Sequence, residues 1–541
     1  MKEILHFITG KKFLSFKLNQ FIFMRKIVSL LLIILPGIGL FAQDETVDTA
    51  IMKKIRAEGL NHSKVSWIAH HITDLTGSRL TNSPGYNRAV DWITKTLTTW
   101  GLTNVKAEPW GKFGYGWSVE KSYAAIKYPY YANLTAYPAP WSGGTDGLKT
   151  APVFLLERYD SVYIVQNADK IKGHIVIYKS NDTIIQPSFK PESVRYSDSE
   201  LIQMQDKYMF TKEMLTMFLP SIINQLKANK QIQQAGALAI VEMTREEGDG
   251  AVFVDGYSGW QKKDQPALAK LLMGKEDYLK IERLLNEGTA VQLELDITTN
   301  LYSEDLKSYN VVGEIGGADP SLKAEVVMLG GHLDSWQSAT GATDNAAGCI
   351  ATLEAIRILK SLGIQPKRTI RIALWSGEEQ GLLGSFGYVK NHFGNPIDMK
   401  WKPEQSKVSA YYNLDNGTGK IRGIFAQANE KAAGIFSKWL EPFHDLGAST
   451  VTMHNTGSTD HLSFDAVGIP GFQFIQDPLD YETRTHHSNF DTYDHLQPDD
   501  LKQAATIIAA FVYNTAMRKE MMPRKSPAIP EKFIFDDIFN Q

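Results

Sequence analysis

Apolar residues at helical spacing mark the first regular element. In "NSPGYNRAVDWITKTLTTWGL" (82–102), Ala89, Trp92, Ile93, Leu97 and Trp100 recur at intervals of three and four. A Pro-Gly start and Gly101 at the end complete the signature of an amphipathic helix. "NVKAEPW" then reads as a strand. From about Trp141 the texture changes to short β-type runs, "APVFLLE", "GHIVIYKS" and "GALAIVEM", separated by polar loops. A helical segment, "KEDYLKIERLLNEG", and a strand, "AVQLELDI", close that block. Residues 145–298 therefore read as a separate β-rich domain, and nothing in it concentrates His, Asp or Glu at metal-ligand spacing.

From Tyr309 the rhythm alternates. Predicted strands are "NVVGEI", "AEVVMLGG", "RTIRIALWS", "VSAYYNLD" and "GFQFIQD", with helices around 346–361, 381–391, 430–441 and 500–517. Strands alternating with helices predict an α/β fold, a mostly parallel or mixed central sheet flanked by helices. Such sheets take their ligands beyond the carboxyl ends of the strands. No repeats, heptads or low-complexity tracts interrupt the pattern.

Composition narrows the setting. At 541 residues more than one domain is expected, and a net charge of −3 gives no reason to expect nucleic acid or an anionic membrane as partner. The single cysteine, Cys349, excludes an intrachain disulfide. It sits in "AAGCIATLEAI", a packed helix, and reads as a small core residue rather than a nucleophile. Near the N-terminus, "MRKIVSLLLIILPGIGLFAQ" has basic Arg25 and Lys26, an apolar stretch to about Leu35, and a break at Pro36. That is secretory signal grammar, with Met24 read as the true start and residues 1–42 as extension and signal peptide. The apolar stretch is short for a membrane span. The mature chain is expected to be exported, periplasmic or secreted, with no stable span left after signal cleavage.

The chemistry collects at the strand ends. "VVMLGG" delivers His332 and Asp334, and Asp344 follows at the mouth of the next helix. "IRIALWSG" delivers Glu378 and Glu379, "VSAYYNL" delivers Asp415, and "THHSNFDTYDH" brings His486 and His487 after the last strand. Singly, each has an ordinary explanation: His332 as a buried histidine, Asp344 as a helix cap, Glu378-Glu379 at a helix start. Jointly they fall at one sheet edge, which favours a metal cage. Two metals need a bridging carboxylate and further His, Asp or Glu ligands, and a cysteine-free site suits zinc. A carboxylate that ligates no metal is then needed to take a proton from water, a division of labour that two adjacent glutamates allow.

The series "GGHLDSW", "GATDNAAG", "LWSGEEQGLLGS", "NLDNGTG" and "HHSNFDTYD" resembles the secreted di-zinc exopeptidases that include bacterial leucyl aminopeptidases. "GGHLDSW" and "LGIQPKRTIRIALWSGEEQG" are most similar to the carboxypeptidase Q (plasma glutamate carboxypeptidase) branch. The resemblance spans about 50–520. It implies a peptidase domain in two parts, 43–144 and 299–520, interrupted by a protease-associated insert at 145–298 and followed by a tail at 521–541. It implies two zinc ions: one held by His332 and Asp415, the other by Glu379 and His487, with Asp344 bridging. Glu378 matches the family's general base, and Asp334 the aspartate that orients the first histidine. His487 is preferred to its neighbour because it begins an "HS..DTY"-like pattern, which leaves His486 to face the substrate carbonyl. "GATDNAAG" is poorer in glycine than the loop expected of carboxypeptidase Q.

The activity so implied is hydrolysis of short peptides as an aminopeptidase or dipeptidase, with a glutamate-type carboxypeptidase as the alternative. Arg484 is a candidate for a substrate carboxylate, and Trp336, Phe474 and Tyr481 for a pocket wall. The insert is open to roles as lid, homodimer contact or protein-binding module. No HExxH helix and no GxSxG elbow competes. A catalytically dead, receptor-like ectodomain would have lost a ligand or the base, and a glutaminyl cyclase would use one zinc.

Overall fold

The computed structural model describes residues 45–525 apart from 187, 210, 211, 246, 247 and 257. The signal segment, Met24 and the tail beyond residue 525 lie outside the described residues. Among those described, no helix is long and apolar enough to cross a membrane.

The first sheet holds eight strands: β1 (Thr103–Lys112), β2 (Lys307–Ile315), β3 (Val326–His332), β4 (Thr369–Trp375), β5 (Val408–Asn413), β6 (Ile421–Phe425), β7 (Thr450–Thr452) and β8 (Gly471–Gln476). Their spatial order is β1-β2-β4-β3-β5-β8-β6-β7. The four central strands, β4-β3-β5-β8, run parallel, and β1, β2 and β6 join antiparallel to their inner neighbours. The α/β expectation holds, with a mixed sheet whose parallel part lies at its centre.

The run "VVML" needs two apolar faces because β3 is covered on both. Val327 and Leu329 point into one core with Ile370, Ile372 and Tyr412, while Val326 and Met328 point into another with Ala373, Trp375 and Tyr411. The first face is covered by helices Ala347–Ser361 and Pro498–Met517, each buried around nearly its whole circumference. A helix this apolar on all sides belongs in a protein interior. Truncating a fully buried leucine such as Leu329 to alanine is worth about 2–5 kcal/mol. These core contacts therefore fix where the strand ends lie.

The helix read from 82–102 spans Pro84–Thr99, capped by the Ser83 hydroxyl accepting from Tyr86 N–H. Gly101 follows it at φ +76°, a left-handed conformation suited to glycine. Ala89, Ile93 and Leu97 are buried, while Trp92 and Trp100 pack at the core's edge.

The second sheet also has eight strands. Lys149–Leu156, Ile175–Tyr178, Ala239–Met243 and Ala269–Met273 pair in parallel within it. Residues 145–298 supply its middle, and Gly116–Tyr128 joins from outside that block by antiparallel pairing along Gln292–Tyr302. Helices Lys212–Gln234 and Lys275–Asn286 lie within the same stretch of chain.

Candidate metal centre

β3 ends in two glycines and a histidine. A Cβ on Gly330 would lie 1.9 Å from the Ala373 carbonyl oxygen of β4, so only glycine lets the strands close there. His332 follows, fully buried, with Nδ1 3.0 Å from the backbone carbonyl of Asp334. A carbonyl only accepts, so Nδ1 carries a proton, and Nε2 is the nitrogen turned inward, where its lone pair would be available to a bound cation. Nε2 lies 3.2 Å from Asp415 Oδ1 and 3.3 Å from Asp344 Oδ1.

The loop from Leu333 to Asp344 is pinned from outside. Arg79 reaches it from the segment before the Pro84 helix, donating to the carbonyls of Leu333, Thr340 and Gly341. Asp491 accepts the N–H groups of Thr343 (2.5 Å) and Asp344 (3.1 Å). Asn345 donates to the Leu414 carbonyl (2.9 Å), tying the mouth of the Ala347 helix to the end of β5.

So held, Asp344 turns its oxygens to different partners. Oδ1 faces His332, and Oδ2 lies 3.3 Å from His487 Nε2. His487 Nε2 is also 3.0 Å from Glu379 Oε2. The contacts form a chain: Asp415, His332, Asp344, His487, Glu379. The structure thus brings together all five residues expected as ligands. His486 lies farther off, its Nε2 3.9 Å from Asp344 Oδ2, with its ring 4.9 Å from that of Tyr481.

Glu378 stands beside this chain, its Oε2 3.9 Å from His332 Nε2. The Asp334 carboxylate accepts the N–H groups of Glu378 (3.2 Å) and Glu379 (3.3 Å) and the Thr81 hydroxyl (3.0 Å). It lies 3.8 Å from His332 Nδ1, which its own backbone carbonyl approaches more closely. The carboxylate therefore holds the glutamate pair in place, and the carbonyl orients the histidine.

The residues fit a divalent cation. Asp344 Oδ2 and Glu379 Oε1 are buried with no hydrogen-bond partner. Burial, with the charge of Asp344 next, pushes the Glu379 carboxyl far above the carboxylate range. Burial also raises Glu378. For His332 burial opposes the charged form, yet the carboxylates of Asp415 and Glu378 outweigh it and raise the imidazole well above its usual value. A cation among these oxygens would supply the positive charge they lack, and a set of imidazole nitrogen and carboxylate oxygen suits zinc. His332, Asp344 and Glu379, and Asp344, His486 and His487, each converge closely enough to hold an ion.

The remaining expected residues divide. Trp336 packs edge-on against His487 at 5.8 Å, and Tyr481 is buried beside His486. Phe474 lies in the core between Tyr412 and Phe511. Arg484 is paired with Glu192 at the surface. Cys349 is buried and donates to the His332 backbone carbonyl at 3.0 Å. Arg79, Thr81 and Asp491 were not singled out from sequence. Asp491 lay in a quoted motif as the first Asp of "FDTYD", whereas nothing local marks Arg79.

Comparison with known proteins bears on the family and the fold. Residues 310–512 match Peptidase family M28. Human carboxypeptidase Q is 26% identical over 457 residues, covering 84% of this chain and 85% of that protein. Aminopeptidase YwaD of Bacillus subtilis is 27% identical over 270 residues, 47% of this chain and 55% of its own length. Among solved structures, a peptidase M28 precursor from Shewanella amazonensis superposes with a TM-score of 0.63 at 23% identity, covering 88% of this chain and 98% of that one. BSAP, a zinc aminopeptidase from Bacillus subtilis, gives 0.53 at 19%, covering 84% and 95%. At these identities the structural matches establish the fold. The family match includes none of residues 145–298.

Proposed function

We propose, on the premise that this chain belongs to peptidase family M28, that it is a two-zinc exopeptidase cleaving short peptides as an aminopeptidase or dipeptidase. The observation that carries this reading is Asp344, whose two oxygens face two imidazoles, each with its own carboxylate. His332 and Asp415 would hold one ion, Glu379 and His487 the other, and Asp344 would join both. Zinc bound there would supply Lewis acidity, polarising a peptide carbonyl and acidifying water.

The rest falls to the chain's own groups. Glu378 has its backbone fixed by Asp334 and its carboxylate outside the ligand chain, so it is free to move protons. It accepts a proton as water attacks the scissile carbonyl and returns it to the departing amine. Trp336, against His487, keeps bulk water from that side of the site. The signal-like N-terminus supports an exported enzyme, and residues 145–298 as a protease-associated insert belong to the same proposal.

A second reading, cleavage that depends on a free C-terminus, is favoured by Lys207. This lysine lines a shallow open pocket together with Tyr208, Asn416 and Tyr481. Its ammonium group lies over the Tyr196 ring and donates to the Tyr196 hydroxyl, with no carboxylate paired to it among the described residues. It could take a substrate carboxylate. The readings separate on one apolar dipeptide offered free, N-acetylated and C-amidated to the zinc-reconstituted protein, with Glu378→Gln as control. Cleavage of the free and amidated forms alone means aminopeptidase, of the free form alone dipeptidase, and of the free and acetylated forms carboxypeptidase.

A further inference from the structure

His487, like Asp344 and unlike the other three candidate ligands, is held by a loop rather than by a strand end. His332 closes β3, and Glu379 and Asp415 follow β4 and β5 within a few residues, but His487 stands on a loop well beyond the end of β8. Its backbone is left-handed at φ +57°, a region uncommon outside glycine although histidine is among the residues enriched there. Something must hold that loop.

The holding contacts come from residues 250–254, which follow the second-sheet strand Ala239–Met243. Val254 N–H donates to the His487 carbonyl at 2.8 Å. Val252 N–H donates to Asn489 Oδ1 at 2.6 Å, and Asn489 Nδ2 donates back to the Gly250 carbonyl at 3.3 Å. Phe253 pairs with Ser488 as an antiparallel bridge and lays its ring 5.1 Å from the His487 imidazole. Trp336 packs edge-on against the same imidazole at 5.8 Å. The segment is itself anchored: Phe253 N–H donates to the Thr244 hydroxyl at 2.7 Å, and Val252 and Val254 are fully buried.

We propose that Gly250–Val254 is a clamp that sets the direction of the His487 imidazole, making the second sheet a working part of the metal centre. Phe253 and Asn489 are its positioning residues: one fixes the ring from its face, the other ties the loop to the clamp. The proposal rests on the reading of His487 as a zinc ligand. Because residues that orient a ligand typically govern affinity 10–100-fold, loosening the clamp should weaken one ion and spare the other.

The test is zinc titration calorimetry, with the visible spectrum of the cobalt-substituted protein, on the full mature chain. Phe253→Ala and Asn489→Ala should each weaken one zinc step about tenfold or more and alter the cobalt bands, while Phe253→Tyr retains the wild-type values. His487→Ala should lose the same step outright. Metal-free circular dichroism and melting monitor folding, and Asn489→Ala carries the test if Phe253→Ala does not fold. If His487→Ala binds zinc as wild type does, the ligand reading fails and the clamp with it. If His487→Ala loses the step but Phe253→Ala and Asn489→Ala bind normally, the clamp alone is refuted.

Discussion

Arg79 offers the clearest perturbation of the scaffold behind the site. It is fully buried and donates to four backbone carbonyls: Leu333 (2.7 Å), Ile72 (3.1 Å), Thr340 (2.5 Å) and Gly341 (2.8 Å). Each bond from a charged donor is worth about 1.5–3 kcal/mol, and desolvating the guanidinium costs several kcal/mol in return. Arg79→Met orphans the Leu333 and Thr340 carbonyls, while Ile72 keeps the Thr76 hydroxyl and Gly341 keeps the Ala346 N–H, and should cost about 2–6 kcal/mol. Arg79→Lys keeps the charge but has three donors on one atom instead of a planar fork. Its one nitrogen does not reproduce the separate Nε and Nη1 bonds to Leu333 and Thr340, which leaves one of those carbonyls unmet at about 1–3 kcal/mol. Urea unfolding followed by tryptophan fluorescence, with chelator present, isolates the effect from metal binding. Because Thr340 and Gly341 lead into Asp344, zinc titration of both variants should also show weaker binding. If both variants unfold within about 0.5 kcal/mol of wild type, the orphaned-carbonyl argument is wrong.

Three further outcomes follow. Gly348→Ala places a Cβ 2.1 Å from the Leu414 carbonyl and 2.5 Å from Asn345 Oδ1, so it should sharply reduce soluble folded protein; normal yield and circular dichroism would contradict that. Burial alone would raise Glu108, but hydrogen bonds from His392 and Lys106 outweigh it and hold the carboxyl at about 2 rather than 4.5. Its folded value is depressed, so its stabilisation is present above the unfolded value and is lost as pH falls toward the folded one. Glu108→Gln should therefore cost about 1 kcal/mol at pH 6 after allowance for solvent screening, and progressively less toward pH 3; a pH-independent difference in melting would sink the pairing. Burial pushes the Cys349 thiol up to about 12. A thiol reagent at pH 8 should label it only after unfolding, and rapid labelling of the native protein would show the reading to be mistaken.

Much of the centre was legible in sequence because parallel strands buried on both faces read as apolar runs, and their ends are where polar chemistry concentrates. "VVMLGGH" announces both the strand and its candidate ligand, and "WSGEEQG" does the same one strand over. What stayed hidden depends on partners remote in sequence. Arg79 acts on carbonyls some 250 residues away, and no local pattern marks such a residue. The same holds for Phe253, which stands against His487 only because two parts of the chain meet. Gly116–Tyr128 entered the second sheet through partners near residue 300, so the turn at Trp141 looked like the start of that unit. Asp334 was placed near His332 from sequence, but its main hydrogen bonds to the glutamate pair became visible only in three dimensions.

The central claim is that Glu378 moves protons for hydrolysis in a zinc site it does not itself build. The most direct measurement is turnover of a free dipeptide by zinc-reconstituted wild type and Glu378→Gln, with zinc content determined on the same samples. General acid–base catalysis contributes about 10²–10⁴-fold, so the variant should fall by at least that lower bound with its zinc unchanged. Equal turnover by the two proteins at equal zinc would contradict the account.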